Sequence, residues 1–262
     1  MKLKPTLPLH PLLDEFGHWV DESPRPRLVV MSGSGLSVES GLSLYRAAEG
    51  LWEEHDVNQV CNIGTWKANA ALVHAFYDAR RAQSINATPN AGHQLLVDLE
   101  NEGAVLVTQN VDTLLEQAGA QHVLHLHGAI NEMLCTACGH RWTIPMDATW
   151  DLKRDRCALR RCQSRTAVKP GVVFFGENAP NYLPWQRMAM GLREQDVLLT
   201  VGTSGEVVNP LYVGAKSQQW LANLKRQPRL PHAAFQRTWY APITRSVEAI
   251  REAWTKHVES FS

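Results

Sequence analysis

Four of the five cysteines stand in two short hooks, and their spacing restricts the fold more than any other feature of this sequence. Cys135 and Cys138 form the first hook, Cys157 and Cys162 form the second, and 18 residues lie between the hooks. This spacing is typical of a tetrahedral zinc ion bound by four thiolates. Because four thiolates fill the coordination shell, we expect one structural ion and no catalytic metal at this place. The pairing within each hook makes four incidental cysteines a poor explanation.

Short apolar segments alternate with helical segments through most of the chain. The predicted strands cover 27–31, 103–107, 122–126, 171–175 and 196–201. The predicted helices cover 66–82, 90–101 and 243–258. This alternation is typical of an α/β fold with a doubly wound parallel sheet. The cysteine-rich segment, 133–166, interrupts the pattern and is predicted to be a small inserted module.

The overall composition excludes several classes of protein. Lys plus Arg equals Asp plus Glu, at 26 residues each, and this zero net charge argues against a nucleic-acid-binding protein. No segment approaches the roughly 20 apolar residues of a membrane span, and the first residues lack the apolar core of a signal peptide. The odd number of cysteines favours a metal site plus a buried thiol at Cys61 over a disulfide framework. We therefore expect a cytoplasmic protein without nucleic-acid or membrane partners, with the mitochondrial matrix as an alternative location and no prediction of oligomeric state.

The turn after the first predicted strand is unusually rich in small residues, since 33–41 contains three glycines and three serines. A loop that lacks Cβ atoms lets backbone N–H groups approach a phosphate closely. However, Val38 stands where the dinucleotide-binding fingerprint GxGxxG would place its third glycine. Spacing alone therefore leaves two interpretations of this turn, a nucleotide-binding loop and an ordinary tight turn.

Further segments combine with this turn into an ordered pattern. They are 33–46, 108–112, 127–128, 172–177 and 201–204. In this order they resemble the sirtuin family of NAD-dependent protein lysine deacylases, whose first loop reads GAGxSxxSGIxxFR. The resemblance runs from about 28 to 210, most of the chain. It implies a Rossmann-type NAD-binding domain at 1–132 and 167–262, a helical insertion at about 45–90 and a zinc-binding module at 133–166.

The resemblance also implies a set of site residues, with NAD as a consumed cosubstrate. The residues implied to bind NAD are Gly33, Ser34, Gly35, Ser37, Glu39, Arg46, Gln109, Asn110, Asp112, Gly202, Thr203, Ser204 and Asn223. His127 would be the general base, and Asn110 and Asp112 would be further catalytic residues.

The implied reaction suits these residue types. The carbonyl oxygen of an acylated lysine attacks the ribose carbon that carries nicotinamide, and the products are nicotinamide, free lysine and O-acyl-ADP-ribose. A neutral imidazole, with an ordinary pKa of ~6.5, can accept a proton from a ribose hydroxyl near neutral pH. A purely local hydrogen-bonding role is the alternative for His127. His125 would share its strand face, but the Leu-His-Gly step favours His127 as the base.

One helical pair suggests which acyl groups the chain removes. Tyr77 and Arg80 stand three residues apart on the predicted helix and would project from one face. An arginine can pair bidentately with a carboxylate. The pair resembles the Tyr-x-x-Arg signature of class III sirtuins, which implies removal of succinyl and malonyl groups as well as acetyl. Ala47 and Ala48 would leave room for the longer chain, and solvated helix charges are the alternative interpretation of the arginines.

The C-terminal part departs from the family pattern and keeps other functions open. Lys225 follows Asn223 where the family commonly has Asn-x-Glu, and 240–242 lacks the glycine that the family prefers. One alternative is a degenerate sirtuin that binds NAD or ADP-ribose as a sensor. Another is NAD hydrolysis or ADP-ribosyl transfer in the same pocket. The presence of His127, Asn110 and Asp112 favours a deacylase.

Overall fold

The computed structural model of the protein describes residues 10–43, 51–52, 55–214 and 216–261. Its strands are β1 (Leu28–Ser32), β2 (Leu51–Trp52), β3 (His55–Asp56), β4 (Val105–Thr108), β5 (Val123–His125), β6 (Glu132–Cys135), β7 (Arg141–Thr143), β8 (Val168–Pro170), β9 (Val197–Val201), β10 (Gln218–Asn223) and β11 (Arg237–Tyr240). Its helices are α1 (Val57–Val60), α2 (Ala70–Asn86), α3 (Ala91–Asn101), α4 (Leu114–Ala118), α5 (Tyr182–Met190) and α6 (Ile243–Glu259). None of the helices described is both long enough and apolar enough to cross a lipid bilayer.

A parallel sheet forms the centre of the molecule. Across the described residues, six strands are ordered β11-β10-β9-β1-β4-β5, and every neighbouring pair is parallel. The chain therefore starts in the middle, extends the sheet to one edge, and returns beside β1 to build the other half. This is the strand order of a Rossmann fold, so the predicted α/β class is confirmed. The strand order reverses between β1 and β9, where folds of this kind bind ligands at the carboxyl ends of the strands.

Helices cover both faces of this sheet. Alternate side chains of a strand point to opposite faces, so Val30 packs with α3 and α6 whereas Val29 and Met31 pack with α5. All three side chains are fully buried, as expected for a continuous apolar run in a parallel sheet. Each such side chain contributes roughly 1.5–3 kcal/mol of hydrophobic stabilisation relative to exposure to water.

Two smaller units pack beside the sheet. Strand β6 pairs antiparallel with β7 and β8, so the cysteine-rich unit extends from Glu132 to Pro170, slightly beyond the predicted 133–166. Helices α1 and α2 bury a separate apolar cluster that includes Phe76, Tyr77 and Phe174. These helices lie within the predicted insertion at about 45–90, of which 44–50 and 53–54 fall outside the described residues.

The predicted strand at 171–175 is wrong. The regular strand in this region is β8, three residues upstream, and it belongs to the antiparallel sheet of the cysteine-rich unit. The segment that follows is extended, but its backbone N–H groups bond to three separate places. Gly171 donates to the carbonyl of Glu132 (2.6 Å), Val173 to that of His127 (2.8 Å) and Phe175 to that of Cys61 (2.9 Å). The apolar run therefore connects three units of the molecule instead of extending the central sheet.

Candidate active site

The glycine-rich turn after β1 packs directly against the turn after β9. The N–H of Gly33 donates to the carbonyl of Val201 (2.9 Å), and that of Gly35 donates to the carbonyl of Gly202 (2.8 Å). A Cβ atom on Gly35 would lie 2.8 Å from the Cα of Gly202, a distance that real Cβ atoms do not adopt. Gly202 itself has a φ of +63°, in the left-handed region that favours glycine. The absence of side chains thus brings the carboxyl ends of two central strands together.

A chain of hydrogen bonds links this turn to the loop after β4. The side-chain amide of Asn110 donates to the carbonyl of Gly33 (3.2 Å) and to the Ser37 hydroxyl (3.2 Å). The Ser37 hydroxyl in turn donates to the Asp112 carboxylate (3.0 Å). Burial raises the pKa of Asp112, while the N–H of Leu114 and the Ser37 hydroxyl oppose that rise. Asn110, Ser37 and Asp112 therefore form one fixed polar group.

The ring of His127 is held by two partners that define its tautomer. Its Nδ1 lies 2.8 Å from the carbonyl oxygen of Gln109, which can only accept, so Nδ1 carries the proton. Its Nε2 lies 2.7 Å from the Tyr182 hydroxyl, which donates to the lone pair of a neutral ring and would accept from a protonated one. Burial lowers the pKa of His127 and outweighs the opposing effect of the Gln109 carbonyl. His127 is therefore a neutral imidazole whose Nε2 can accept a proton.

These groups line a cavity of about 630 Å³. The predicted site residues in its wall are Gly33, Ser34, Ser37, Gln109, Asn110, Asp112, His127, Thr203, Ser204 and Arg80. A bond from the Gln109 amide to the Thr203 hydroxyl (3.2 Å) closes the wall between the loops after β4 and β9. A volume of this size is typical of cofactor sites in proteins.

Four other residues predicted to bind NAD, Glu39, Asn223, Gly35 and Gly202, are not among the residues that line the cavity. Glu39 accepts hydrogen bonds from the N–H (3.2 Å) and hydroxyl (2.8 Å) of Thr244, in the first turn of α6. The Asn223 amide donates to the backbone carbonyl of Thr203 (2.8 Å) and supports the turn after β9 from behind. Gly35 and Gly202 form the contact between the two turns. Arg46 lies outside the described residues, as do Ala47 and Ala48.

The four hook cysteines converge at one point. Their sulfur atoms all lie within 4.8 Å of one another, and two sulfur–sulfur distances, Cys135–Cys162 and Cys138–Cys157, are 3.7 Å. These distances are far too long for disulfide bonds of ~2.05 Å. Four sulfurs about 2.3 Å from a common centre would be about 3.8 Å apart, as in a tetrahedral zinc–thiolate site. The arrangement is that of a metal site.

Comparison with known proteins places this geometry in a family. The sequence profile of the Sir2 family matches residues 33–209, which include every cavity-lining residue named above and all four hook cysteines. The chain belongs to the Sir2 family, the sirtuins.

Individual relatives agree with this assignment. The sirtuin is 34% identical over 252 residues to an NAD-dependent protein deacylase of Helicobacter hepaticus, covering 87% of this chain and 96% of that one. It is 38% identical over 185 residues to an NAD-dependent protein deacylase of Bdellovibrio bacteriovorus, covering 69% and 75%. Among solved structures, a Sir2 homologue in complex with NAD matches with a TM-score of 0.74 and 27% identity, covering 94% and 98% of the two chains.

The two residues predicted to bind the acyl group lie on α2 with different surroundings. Arg80 of this sirtuin lines the cavity. Tyr77 is fully buried, and its ring stacks on Phe174 at 5.8 Å between centroids. Phe174 belongs to the cavity wall, so Tyr77 supports that wall from behind. Arg81 is buried, with bonds to the carbonyls of Ile130 and Ala148, and is not a solvated charge.

Sequence reasoning missed two polar residues of the sirtuin site, Tyr182 and Lys169, and included Glu177 only as part of the segment 172–177. Tyr182 is the partner of His127, and the 54 residues between them carry no spacing signal. Lys169 is fully buried, 2.9 Å from Glu177, and donates to the carbonyl of Val172 (2.6 Å). The available signal was its position three residues before the predicted motif 172–177. Together Lys169 and Glu177 fix the extended segment that forms one wall of the cavity.

Proposed function

We propose that this chain is an NAD-dependent protein lysine deacylase that releases nicotinamide and O-acyl-ADP-ribose. The observation that supports this most is the placement of His127, which lines a cavity at the reversal point between β1 and β9 with Nδ1 bonded to the Gln109 carbonyl and Nε2 bonded to the Tyr182 hydroxyl. The curated relatives bear the name NAD-dependent protein deacylase, and the cavity is built from the residues that the family resemblance implies.

The residues of the cavity fit NAD. The turn after β1 offers the Ser34 hydroxyl and a backbone without Cβ atoms at the carboxyl edge of the sheet, the usual place for a dinucleotide. Thr203 and Ser204 present hydroxyls from the opposite turn. Asn110 and Asp112 line the wall and would shape the compartment from which nicotinamide leaves.

His127 would act as the general base. NAD supplies the ribose carbon that the acyl oxygen attacks, and the protein supplies a proton acceptor beside a ribose hydroxyl. In the structure Tyr182 donates to the nitrogen that must accept this proton. The ribose hydroxyl must therefore replace the Tyr182 hydroxyl or pass its proton through it.

We further propose that the chain removes acidic acyl groups, with Arg80 as the residue that recognises the carboxylate. Its guanidinium is half-buried at the cavity wall, and burial lowers the pKa of Arg80 without removing its charge. A charge-assisted bond in such a partly desolvated place is strong. Tyr77 would act indirectly, through the position of Phe174.

The ion at the four cysteines is proposed to be zinc, with a structural role. Four thiolates are the donor set that zinc prefers, and they leave no open coordination position for a substrate. The unit from Glu132 to Pro170 has a small apolar core around these cysteines, so the ion would contribute directly to its folding. We therefore propose that the chain comprises an NAD-binding domain with a helical insertion and a zinc-binding module.

Mass spectrometry of the reaction products tests the proposed function. The purified protein is incubated with NAD and with acetyl-lysine, succinyl-lysine and malonyl-lysine peptides, and reactions without NAD serve as the control. O-acyl-ADP-ribose in equal amount to deacylated peptide supports the deacylase. Free ADP-ribose with unchanged peptide would show NAD hydrolysis, and a mass gain on protein would show ADP-ribosyl transfer. NAD binding without turnover would show a sensor.

A further inference from the structure

His125 is a second buried histidine beside the cavity, and its ring has two acceptor partners. Its Nδ1 lies 2.9 Å from the backbone carbonyl of Asn110, and its Nε2 lies 2.7 Å from a carboxylate oxygen of Glu116. A carbonyl oxygen has no proton to give, so Nδ1 must donate. Glu116 is 38% exposed, and water stabilises its carboxylate form, so Nε2 must donate as well. Both ring nitrogens therefore carry protons, in contrast to those of His127.

The charges around His125 favour this protonated state. Carboxylates of Glu116 on α4 and of Asp112 on the loop before it both raise the pKa of His125, and His125 lowers that of Glu132 at the start of β6. Burial by itself would lower the pKa of His125, but the bond and charge of Glu116, the Asn110 carbonyl and the charge of Asp112 together outweigh it and raise that pKa. The charge of His125 in turn lowers the pKa of His127.

The bond to Asn110 connects His125 to the site. Asn110 is held at two ends, because its backbone carbonyl accepts from His125 while its side-chain amide bonds to Gly33 and Ser37. Loss of the His125 bond would leave a buried carbonyl unsatisfied at the residue that joins the two loops of the cavity.

We propose that Glu116 holds His125 as an imidazolium, and that this fixed positive charge positions Asn110 and adds to the burial that keeps the neighbouring His127 ring neutral. His125 is thus a positioning residue, and its role rests on the proposed function of His127 as the base. The charge also compensates the buried carboxylate of Asp112, whose pKa it lowers against the effect of burial.

The substitution Glu116→Gln separates charge from shape. Glutamine keeps a side chain of the same size and can donate its amide proton to Nε2, while a neutral His125 still donates from Nδ1 to Asn110. The hydrogen-bond geometry is therefore retained, and the imidazolium is lost. Glu102→Gln is the matched control, because that carboxylate pairs with Arg251 on the surface (2.9 Å), away from the cavity.

The test measures the imidazole nitrogen chemical shifts of the whole protein as a function of pH, with His125→Asn used to assign the His125 signals. We expect His125 to be doubly protonated at pH 7.5 in the wild type and in the control variant Glu102→Gln. In Glu116→Gln we expect the His125 ring to be neutral. The midpoint of the His127 titration and the acid limb of kcat/KM should both rise by about 0.5–1 pH unit in Glu116→Gln.

Two results would overturn this proposal. One is a neutral His125 at pH 7.5 in the wild type. The other is a Glu116→Gln variant in which His125 has lost its proton while the His127 midpoint stays where it was. The NMR signals report these charges whether or not the protein turns over NAD. A failure of the proposed function would appear separately, as an absence of deacylated peptide.

Discussion

At the scale of single residues, the site depends on keeping two neighbouring histidines in different states of protonation. His127 faces a carbonyl and a hydroxyl, whereas His125 faces a carbonyl and a carboxylate. Only the hydroxyl can serve as a donor, so only His127 retains a lone pair. The identity of the partner groups therefore decides which of the two rings can act as a base.

The pH dependence of activity should report the protonation state of the His127 ring. Because its pKa is lowered, the base is neutral at pH 7, and activity should fall only as pH drops through that lowered value, below ~6.5. His127→Gln should lower kcat/KM by about 10²–10⁴-fold and remove the acid limb, while NAD binding persists. His18→Gln, at an exposed histidine paired with Asp14, is the control. An unchanged rate in His127→Gln would exclude this base.

Arg80 should govern acyl preference. Arg80→Met removes the guanidinium, so desuccinylation should lose about 2–4 kcal/mol of transition-state stabilisation while deacetylation is spared. Tyr77→Phe keeps the ring against Phe174, so alone it should have the smaller effect. Rates on matched acetyl-lysine and succinyl-lysine peptides measure the difference. Equal losses on both peptides would refute the acidic-acyl assignment.

Residues within ordered motifs could be predicted from the sequence, and residues outside them could not. Asn110, Asp112 and His127 follow strands that end at one edge of the sheet, so their meeting could be foreseen. Tyr182 is the first residue of α5, which follows the cysteine-rich unit in the sequence, and no local sequence pattern indicates that it bonds to His127. Glu39 stands in the predicted loop, but its carboxylate accepts hydrogen bonds from Thr244 in α6, a partner about 200 residues away that no local pattern indicates.

At the scale of elements, the apolar run 171–175 shows why one strand was misplaced. Alternating backbone bonds to Glu132, His127 and Cys61 satisfy this segment without a partner strand. Composition cannot distinguish such a connector from a buried strand. Strands β10 and β11 were missed for a related reason, since their apolar residues are mixed with polar ones such as Gln219.

The contact between the turns after β1 and β9 predicts the effect of a single methyl group. Gly35→Ala would place a Cβ 2.8 Å from the Cα of Gly202, so one of the two turns must move. We expect NAD affinity to fall by at least about 10-fold and the melting temperature to drop, because strained backbone costs on the order of 1–3 kcal/mol. Gly64→Ala is the control, since its Cβ would meet only the Asn62 side chain, at 3.3 Å. Titration calorimetry and thermal unfolding measure both effects, and wild-type affinity in Gly35→Ala would contradict them.

The cysteine-rich unit should depend on its metal. Elemental analysis should find one zinc ion for each chain, and Cys138→Ser should lose it and unfold at a lower temperature, because binding energy of the ion is folding energy for so small a core. Cys61→Ser is the control, because that thiol lies in another cluster and should leave the zinc content unchanged. Full stability after removal of the metal by a chelator would contradict a structural role.

At the scale of the whole molecule, the cavity exists because three units meet at the reversal point of the central sheet. The sheet contributes the turns after β1, β4 and β9, the helical unit contributes Arg80 on α2, and the connector after β8 contributes Phe174. Buried Lys169 and Glu177 hold that connector in place. The α/β class and the inserted cysteine-rich unit could be predicted from strand alternation and cysteine spacing. How the cavity is closed could not be predicted from the sequence, because it depends on contacts between distant parts of the chain.

A crystal structure of the protein grown with NAD tests this account most directly. We predict that the dinucleotide lies along 33–37 and that a ribose hydroxyl lies within hydrogen-bonding distance of His127 Nε2 or of the Tyr182 hydroxyl bonded to it. An empty turn in crystals soaked with saturating NAD, or a ribose far from both groups, would contradict the proposed enzyme.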